Sequence, residues 1–399
     1  MTLAKLPQRI SILVTAGLLL IALGCSDSKH SGSTSPVQSS ASVNDFNGFL
    51  DGSVPLQDII NETGITVDEY DPTDNFIAFS STLDEASLQS IAGFEVVDED
   101  GFLTEPSDLL ITFSKGYLSE AQMLGQTQLT CIDLSASHAK ATGNGVRIAV
   151  LDTGFELNHP HLLGHLEVPA QPFDPQAGAV GDHRGHGTHT AGLIATVAPA
   201  ATILPIRVMG DDGLGLERDL LKGLRIASEN NVDIVNLSLS MNQHSEAVEF
   251  MIQTLVDDGV LVIAAAGNYT GTPSSKYPAR YPMVIGVAST SNNTCNALLT
   301  SSGLGIGIQF ATAGEDVLSA SYPLGNGAPG AARGTGTSVS TAVFTGAVAL
   351  NMTVRRRTVV LDPYDFTAEF QSTALSIAPY GQVEWGAIDL LAALTLAAQ

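Results

Sequence analysis

Four polar residues stand where chemistry could be done. Asp152 ends the apolar run Ile148-Ala149-Val150-Leu151 and precedes Thr153-Gly154. His186 lies between two glycines in Gly185-His186-Gly187-Thr188-His189. Asn268 closes Val262-Ile263-Ala264-Ala265-Ala266-Gly267-Asn268. Ser338 stands near the start of 336–350, an apolar stretch without charge or proline. A hydroxyl, an imidazole, a carboxylate and an amide are the parts of acyl transfer: nucleophile, base, orienting acid and oxyanion donor. Each also has a plainer use. A serine there can cap a helix. Asparagine after glycine is commonly a turn residue. His183, His186 and His189 could hold a metal, although Gly185 and Gly187 argue against the helical spacing such a site wants. Asp152-Thr153-Gly154 could also supply one carboxylate of a paired-aspartate site, but that chemistry needs a second such loop, or a dimer of a much smaller chain, and no other Asp-Thr/Ser-Gly exists here.

The elements around these residues alternate between apolar runs and helical patterns. Strands are expected at 145–151, 202–208, 232–239, 260–266 and 283–288, and helices at 217–229, 245–258 and from Ser338 onward. Continuous apolar strands alternating with helices predict an α/β fold, a mostly parallel sheet with helices on both faces. In such sheets ligands sit beyond the strand C-termini. Asp152, Ser238 and Asn268 all fall there. Upstream, strands at 75–80 and 94–97 with a helix at 84–91, capped by Thr82 with Glu85 completing a capping box, predict a small α+β unit over 48–112.

Asp, His, Asn and Ser in this order, each among small residues, resemble the subtilases, the subtilisin-like serine proteases. The resemblance runs from Gly143 to the C-terminus. It includes Val197-Ala198-Pro199, Asp233-Ile234-Val235-Asn236-Leu237-Ser238-Leu239, Tyr277-Pro278-Ala279 and Trp385-Gly386-Ala387-Ile388-Asp389. It implies a three-layer subtilisin-like α/β domain over 143–399, entered through a linker at 113–142. The unit at 48–112 takes the place of a pro-segment that assists folding and inhibits the enzyme. The implied activity is serine endopeptidase, with Asp152, His186 and Ser338 catalytic and Asn268 holding the oxyanion. Protein or peptide substrates would lie extended along Ser238, Leu239 and Ser240, with Ala265, Ala266 and Gly267 walling the first specificity pocket. Lys276, just before Tyr277-Pro278, falls near that pocket's floor and would favour an acidic substrate side chain.

The sequence also departs from the family pattern. Ala342 stands where the family has proline after the serine. Thr312-Ala313-Gly314 replaces Ala-Pro-Gly, and Ser240 replaces a glycine. The short span from Gly192 to Val197 leaves out the loop that builds a high-affinity calcium site in many relatives. No cofactor is therefore expected to be required, beyond weak structural calcium. The alternative reading is a catalytically impaired surface lipoprotein that keeps the fold as a binding module.

The rest of the chain bounds these readings. Its 399 residues are 44% hydrophobic, enough for a large core and an added module. A net charge of −24 argues against nucleic acid as a partner, because phosphate contacts need clustered Lys and Arg. It suits a soluble, self-repelling monomer. Lys5 and Arg9 followed by the apolar 10–23 read as an export signal. Small residues before Cys25 resemble a bacterial lipoprotein signal. Residues 1–24 would be removed, Cys25 lipidated, and the Ser-rich 25–47 would tether an exported, envelope-anchored protein, with the outer membrane expected from Ser26. Cys131 and Cys295 remain as a candidate disulfide pair. Maturation cleavage is expected between about residues 105 and 130.

Overall fold

The computed structural model describes residues 43–104, 110–114, 120–167, 181–269, 274–291, 295–321, 330–355, 366–379 and 381–399. Cys25 and the export signal lie outside them. An N-terminal module contains β1 (Asn44–Leu50), α1 (Leu56–Thr63), β2 (Thr66–Asp71), β3 (Phe76–Ser81), α2 (Glu85–Gln89) and β4 (Phe94–Glu99). Then come β5 (Phe102–Thr104), β6 (Leu110–Ser114), α3 (Glu120–Leu124), α4 (Thr127–Thr130) and α5 (Leu134–His138). The larger part begins with β7 (Arg147–Asp152), α6 (His186–Val197), β8 (Thr202–Arg207), β9 (Leu214–Leu216), α7 (Glu217–Glu229), β10 (Ile234–Leu237), β11 (Ser240–Met241) and α8 (Glu246–Asp257). It continues with β12 (Leu261–Ala265), β13 (Ile285–Thr290), β14 (Ile308–Ala313), β15 (Val317–Ser321), β16 (Gly330–Thr335), α9 (Thr337–Arg355), α10 (Phe366–Thr373), β17 (Gly386–Ala387) and α11 (Leu390–Ala397).

Seven strands form one parallel sheet in the order β17-β14-β13-β12-β10-β7-β8. Both faces are buried, so alternate residues of one strand serve two cores. Ile148 and Val150 of β7 pack with Val339, Val343 and Phe344 of α9. Ala149 and Leu151 pack with Leu220 and Leu224 of α7 and Val248 and Ile252 of α8. The chain leaves β7 through α6 to β8 on one side, then through α7 to β10 on the other. The sheet's switch in strand order therefore lies between β7 and β10, and the crevice beyond it is the favoured ligand position in an open α/β sheet.

The N-terminal module is an antiparallel sheet, β2-β3-β1-β4, under two short helices. One face makes its own core from Phe46, Ile59, Ile77, Phe79, Leu88 and Val97. The other face puts Phe49, Phe76, Ala78 and Val96 into the core shared with α7 and α8. Phe49 meets Phe250 with ring centroids 4.9 Å apart. Charges ring this apolar contact: Arg225 pairs with Asp71 at 3.2 Å, Lys222 with Glu69, and Arg218 with Asp45 and Asp100. Asp98 accepts from the Ala247 N–H at the start of α8 and from Ser245 Oγ, and Asp100 accepts from the Arg218 N–H at the start of α7.

Two sequence expectations shift here. The first strand starts at Asn44, inside the expected tether. Its Asn47 and Gly48 weaken the strand pattern, yet a Cβ at Gly48 would stand 2.2 Å from the Val96 carbonyl, so the central strand needs glycine there. Asp84, not Thr82, caps α2, accepting from the Ser87 N–H at 2.8 Å. Glu85 accepts instead from the Glu99 N–H on β4, so there is no capping box.

Candidate active site

Asp152 is the last residue of β7 and fully buried. Its Oδ1 accepts from the Thr153 N–H at 2.7 Å and from His186 Nδ1 at 2.5 Å. A carboxylate on Nδ1 assigns the imidazole proton to that nitrogen and leaves the basic lone pair on Nε2. His186 is the first residue of α6, 1% exposed. A Cβ at Gly187 would lie 2.2 Å from the Gly154 carbonyl, so glycine lets the helix start close against the end of β7.

The loop before His186 is held by a residue the sequence reading did not single out. Asp182 is buried and accepts four hydrogen bonds: from Thr153 Oγ1 at 3.0 Å, Gly185 N at 2.7 Å, Thr188 N at 2.8 Å and Thr188 Oγ1 at 2.6 Å. Burial pushes this carboxyl above its usual range, and the bonds from Thr188 and Gly185 pull it back. Asp182 thereby ties the end of β7 to the first turn of α6, favourable ground for a negative group. Its only signal in the sequence was its position four residues before His186.

Ser338 is the second residue of α9 and 1% exposed. Its Oγ donates to the Ser238 carbonyl at 3.2 Å, while Ser238 Oγ donates to the Ser338 carbonyl at 3.1 Å. A polar chain continues into the sheet. Asn236 Nδ2 donates to Ser238 Oγ at 3.1 Å, and Thr345 Oγ1 donates to Asn236 Oδ1 at 2.9 Å. Asn236 and Thr345 thus fix α9 against β10, a role with no local sequence signal. Asn268 Oδ1 accepts from the Thr337 N–H at 2.9 Å and from Thr337 Oγ1 at 3.1 Å. A backbone N–H can only donate, so the amide oxygen faces Thr337 and the NH₂ turns the other way, within 2.6 Å of where a Cβ on Gly336 would stand. The structure therefore joins Asp152 to His186 directly, Asn268 to the start of α9 through Thr337, and Ser338 to the end of β10 through Ser238.

The strand expected to receive substrate is already paired. β5 lies between β11 and β9, with Thr104 opposite Ser240 and Leu214, and Leu103 opposite Met241 and Gly215. Leu103 is fully buried. Ser240 Oγ lies 3.4 Å from Thr104 Oγ1. Leu239, Ala265, Ala266 and Gly267 are all buried. Lys276 donates its N–H to the Ala266 carbonyl at 3.1 Å, and its Nζ reaches Asn242 Oδ1.

Without the family proline, α9 keeps its position by packing. Ala342, Val343 and Phe344 are fully buried, and Phe344 stacks on Phe310 at 5.1 Å and meets Phe370 at 5.4 Å. Ser340 Oγ lies 2.8 Å from Ser289 Oγ and donates to the Thr312 carbonyl, beside Ala313, at 3.0 Å. Cys131 and Cys295 form a disulfide with Cα atoms 6.1 Å apart. The histidines do not converge on a metal position. His186 bonds Asp152, and His189 contacts the Val317 carbonyl at 3.2 Å, its pKa lowered to about 4 chiefly by burial. Among the described residues no three His, Cys, Asp or Glu side chains gather to hold a metal ion.

Residues 143–384 match the profile of the subtilase family. Subtilisin BL of Lederbergia lenta is 37% identical over 190 residues, 44% of this chain and 68% of that protein. M-protease of Shouchella clausii is 32% identical over 264 residues, 61% of this chain and 67% of that protein. Among solved structures, fervidolysin from Fervidobacterium pennivorans, described as a keratinolytic enzyme related to subtilisin, aligns with a TM-score of 0.74 at 20% identity. That alignment covers 89% of this chain and 61% of the fervidolysin chain, so this chain spans about three fifths of that structure's length. At that identity the likeness speaks for the fold.

Proposed function

The chain belongs to the subtilase family of serine-type endopeptidases, and on that premise we propose that Ser338, His186 and Asp152 hydrolyse peptide bonds through an acyl-enzyme. The observation that carries this reading is the buried 2.5 Å bond between Asp152 and His186 at the switch point of the sheet. Ser338 Oγ swings from the Ser238 carbonyl to the substrate carbonyl as His186 Nε2 takes its proton. Asp152 holds the ring in the required tautomer and stabilises the imidazolium without accepting the proton. The Asn268 NH₂ and the Ser338 N–H, one of the first-turn donors of α9 without a partner inside the helix, receive the oxyanion. His186 returns its proton to the leaving amine, which departs as the acyl-enzyme forms. Water, activated by His186, then releases the acid and restores Ser338.

The N-terminal module acts as an inhibitory pro-segment. Support comes from β5, which fills the groove as an added strand, and from the apolar and charged surface over α7 and α8. The protein is exported as a monomer and held to the envelope by a lipid on Cys25. The Cys131–Cys295 disulfide supports an oxidising compartment.

A fluorophosphonate serine probe tests the catalytic reading. The self-processed wild type is expected to be labelled once, on Ser338, and Ser338→Ala not at all. Failure to label the folded, processed protein, or equal labelling of Ser338→Ala, contradicts the reading and favours a binding module.

A further inference from the structure

The groove's register shows which substrate side chain meets Lys276. β5 runs antiparallel to β11, with Thr104 opposite Ser240. A substrate extended two residues further in the same register places a residue opposite Ser238. That residue's carbonyl stands beside Ser338, whose Oγ rests on the Ser238 carbonyl. Its side chain enters the gap between β11 and the end of β12.

The segment 275–278 closes that gap. Lys276 N–H bonds the Ala266 carbonyl on the β12 side, and Tyr277 exchanges both backbone bonds with Met241 on the β11 side, at 2.7 and 3.2 Å. The wall itself has little bulk, being Ala265, Ala266 and Gly267. A Cβ on Gly267 would come within 2.8 Å of Lys276 Cγ, so the lysine stem lies directly over this wall.

The charge at this position has no carboxylate beside it among the described residues. The chain has 41 acidic residues to 17 Lys and Arg. Arg147, Arg207, Arg218, Lys222, Arg225, Arg333 and Arg355 all pair with carboxylates. Among the described residues Lys276 has no carboxylate partner. Its Nζ contacts the neutral Asn242 amide oxygen and lies 5.5 Å above the Tyr269 ring. Arg280, one turn on, lies 5.0 Å from the Tyr277 ring and likewise pairs with no carboxylate among the described residues. A cation in so acidic a chain, whose exposed ammonium contacts an amide and a ring and not a carboxylate, suits an anion supplied from outside.

We propose that Lys276 selects Asp or Glu as the substrate residue immediately before the scissile bond. The proposal rests on the endopeptidase reading above. The Lys276 stem needs only to turn from Asn242 toward the incoming carboxylate, and Arg280 adds a second positive charge nearby.

The test uses self-processed full chain and quenched peptides that differ only before the scissile bond, carrying Glu, Asp, Gln, Leu or Lys. All keep Leu at the fourth position upstream, which corresponds to Leu103. Wild type is expected to cut the Glu peptide with a kcat/KM up to about fivefold above its Gln isostere, the scale of one solvent-screened ion pair. In Lys276→Met the Glu-to-Gln ratio is expected to fall to about one. Lys276→Glu is expected to favour the Lys peptide. Wild-type preference for Leu over Glu, or a Glu-to-Gln ratio unchanged in Lys276→Met, overturns the proposal while leaving the endopeptidase reading intact. If no peptide is cut and the serine probe does not label Ser338, the endopeptidase reading itself fails, and the proposal with it.

Discussion

Helix N-termini are used in two ways in this molecule. At the module interface, α7 and α8 present first-turn N–H groups to Asp100, which follows β4, and to Asp98 on β4. At the active site, the first turn of α9 meets only neutral partners: Thr337 N–H bonds an amide oxygen, and Ser338 bonds a backbone carbonyl. The interface thus sets carboxylates against helix dipoles, and on the proposed mechanism the helix bearing Ser338 leaves that place to a charge that exists only during reaction. Asp182 on α6 is an intermediate case, since it fills the helix start but belongs to the same domain and fixes the histidine loop. The comparison suggests that removing groups at the active site should cost rate with little loss of fold. At the interface it should cost docking with no loss of intrinsic rate.

The largest effect separating the two regions is expected from Asp152→Asn. The amide lets the imidazole take the wrong tautomer, and kcat should fall by about 10⁴ with the melting temperature nearly unchanged. Peptide hydrolysis and a thermal melt check this; a loss under tenfold would mean that Asp152 does not orient His186. Asn268→Ala is expected to lower kcat by about 10²–10³ with KM little changed, because the amide donor acts mainly on the developing oxyanion. An effect confined to KM would reassign Asn268 to substrate binding.

At the interface the effects are smaller. In full-length chain kept intact by Ser338→Ala, Asp98→Ala removes a cap worth about 0.5–2 kcal/mol. Amide exchange at Ala247 should then quicken by roughly 2- to 30-fold, with exchange in α9 unaffected. Equal acceleration in α9 would show that the two regions are not independent.

The interface should also respond to pH. Ser245 Oγ faces both Asp98 and Glu217, at 3.2 and 2.7 Å, and has one proton to give. Burial raises Glu217 to about 8 and also pushes Asp98 up. The docked state therefore keeps a proton that an undocked, solvated Glu217 would lose near its ordinary value of 4.5. Docking strength is fully present below that value and is lost progressively as pH rises toward about 8. Protease accessibility of the module in the Ser338→Ala chain should increase across this window, and Glu217→Gln should flatten the response. An opposite slope would place the raised carboxyl elsewhere.

Much of the parallel sheet was legible because its strands are buried on both faces and read as unbroken apolar runs. Asp152 and Asn268 were visible for the same reason, being polar residues at the ends of such runs. The helix at 217–229 was placed to the residue by its amphipathic pattern. What escaped was whatever depends on distant partners. β1 carries Asn47 and Gly48, whose fitness for a strand comes from Asp100 and Val96. β5 is three residues long and becomes a strand only between β9 and β11. Asn236 and Thr345 are 109 residues apart, so nothing local marks their bond. The neutral contacts of Lys276 likewise appear only once the fold brings Asn242 and Tyr269 beside it.

The central claim is that Ser338 carries the acyl group, and trapping that group tests it most directly. Self-processed chain would be mixed with a p-nitrophenyl ester, quenched within milliseconds, and analysed by mass spectrometry. The account expects a burst of one p-nitrophenolate per chain and one acyl group on the peptide containing Ser338. Steady hydrolysis with no burst and no adduct, or an adduct on a different residue, would contradict it.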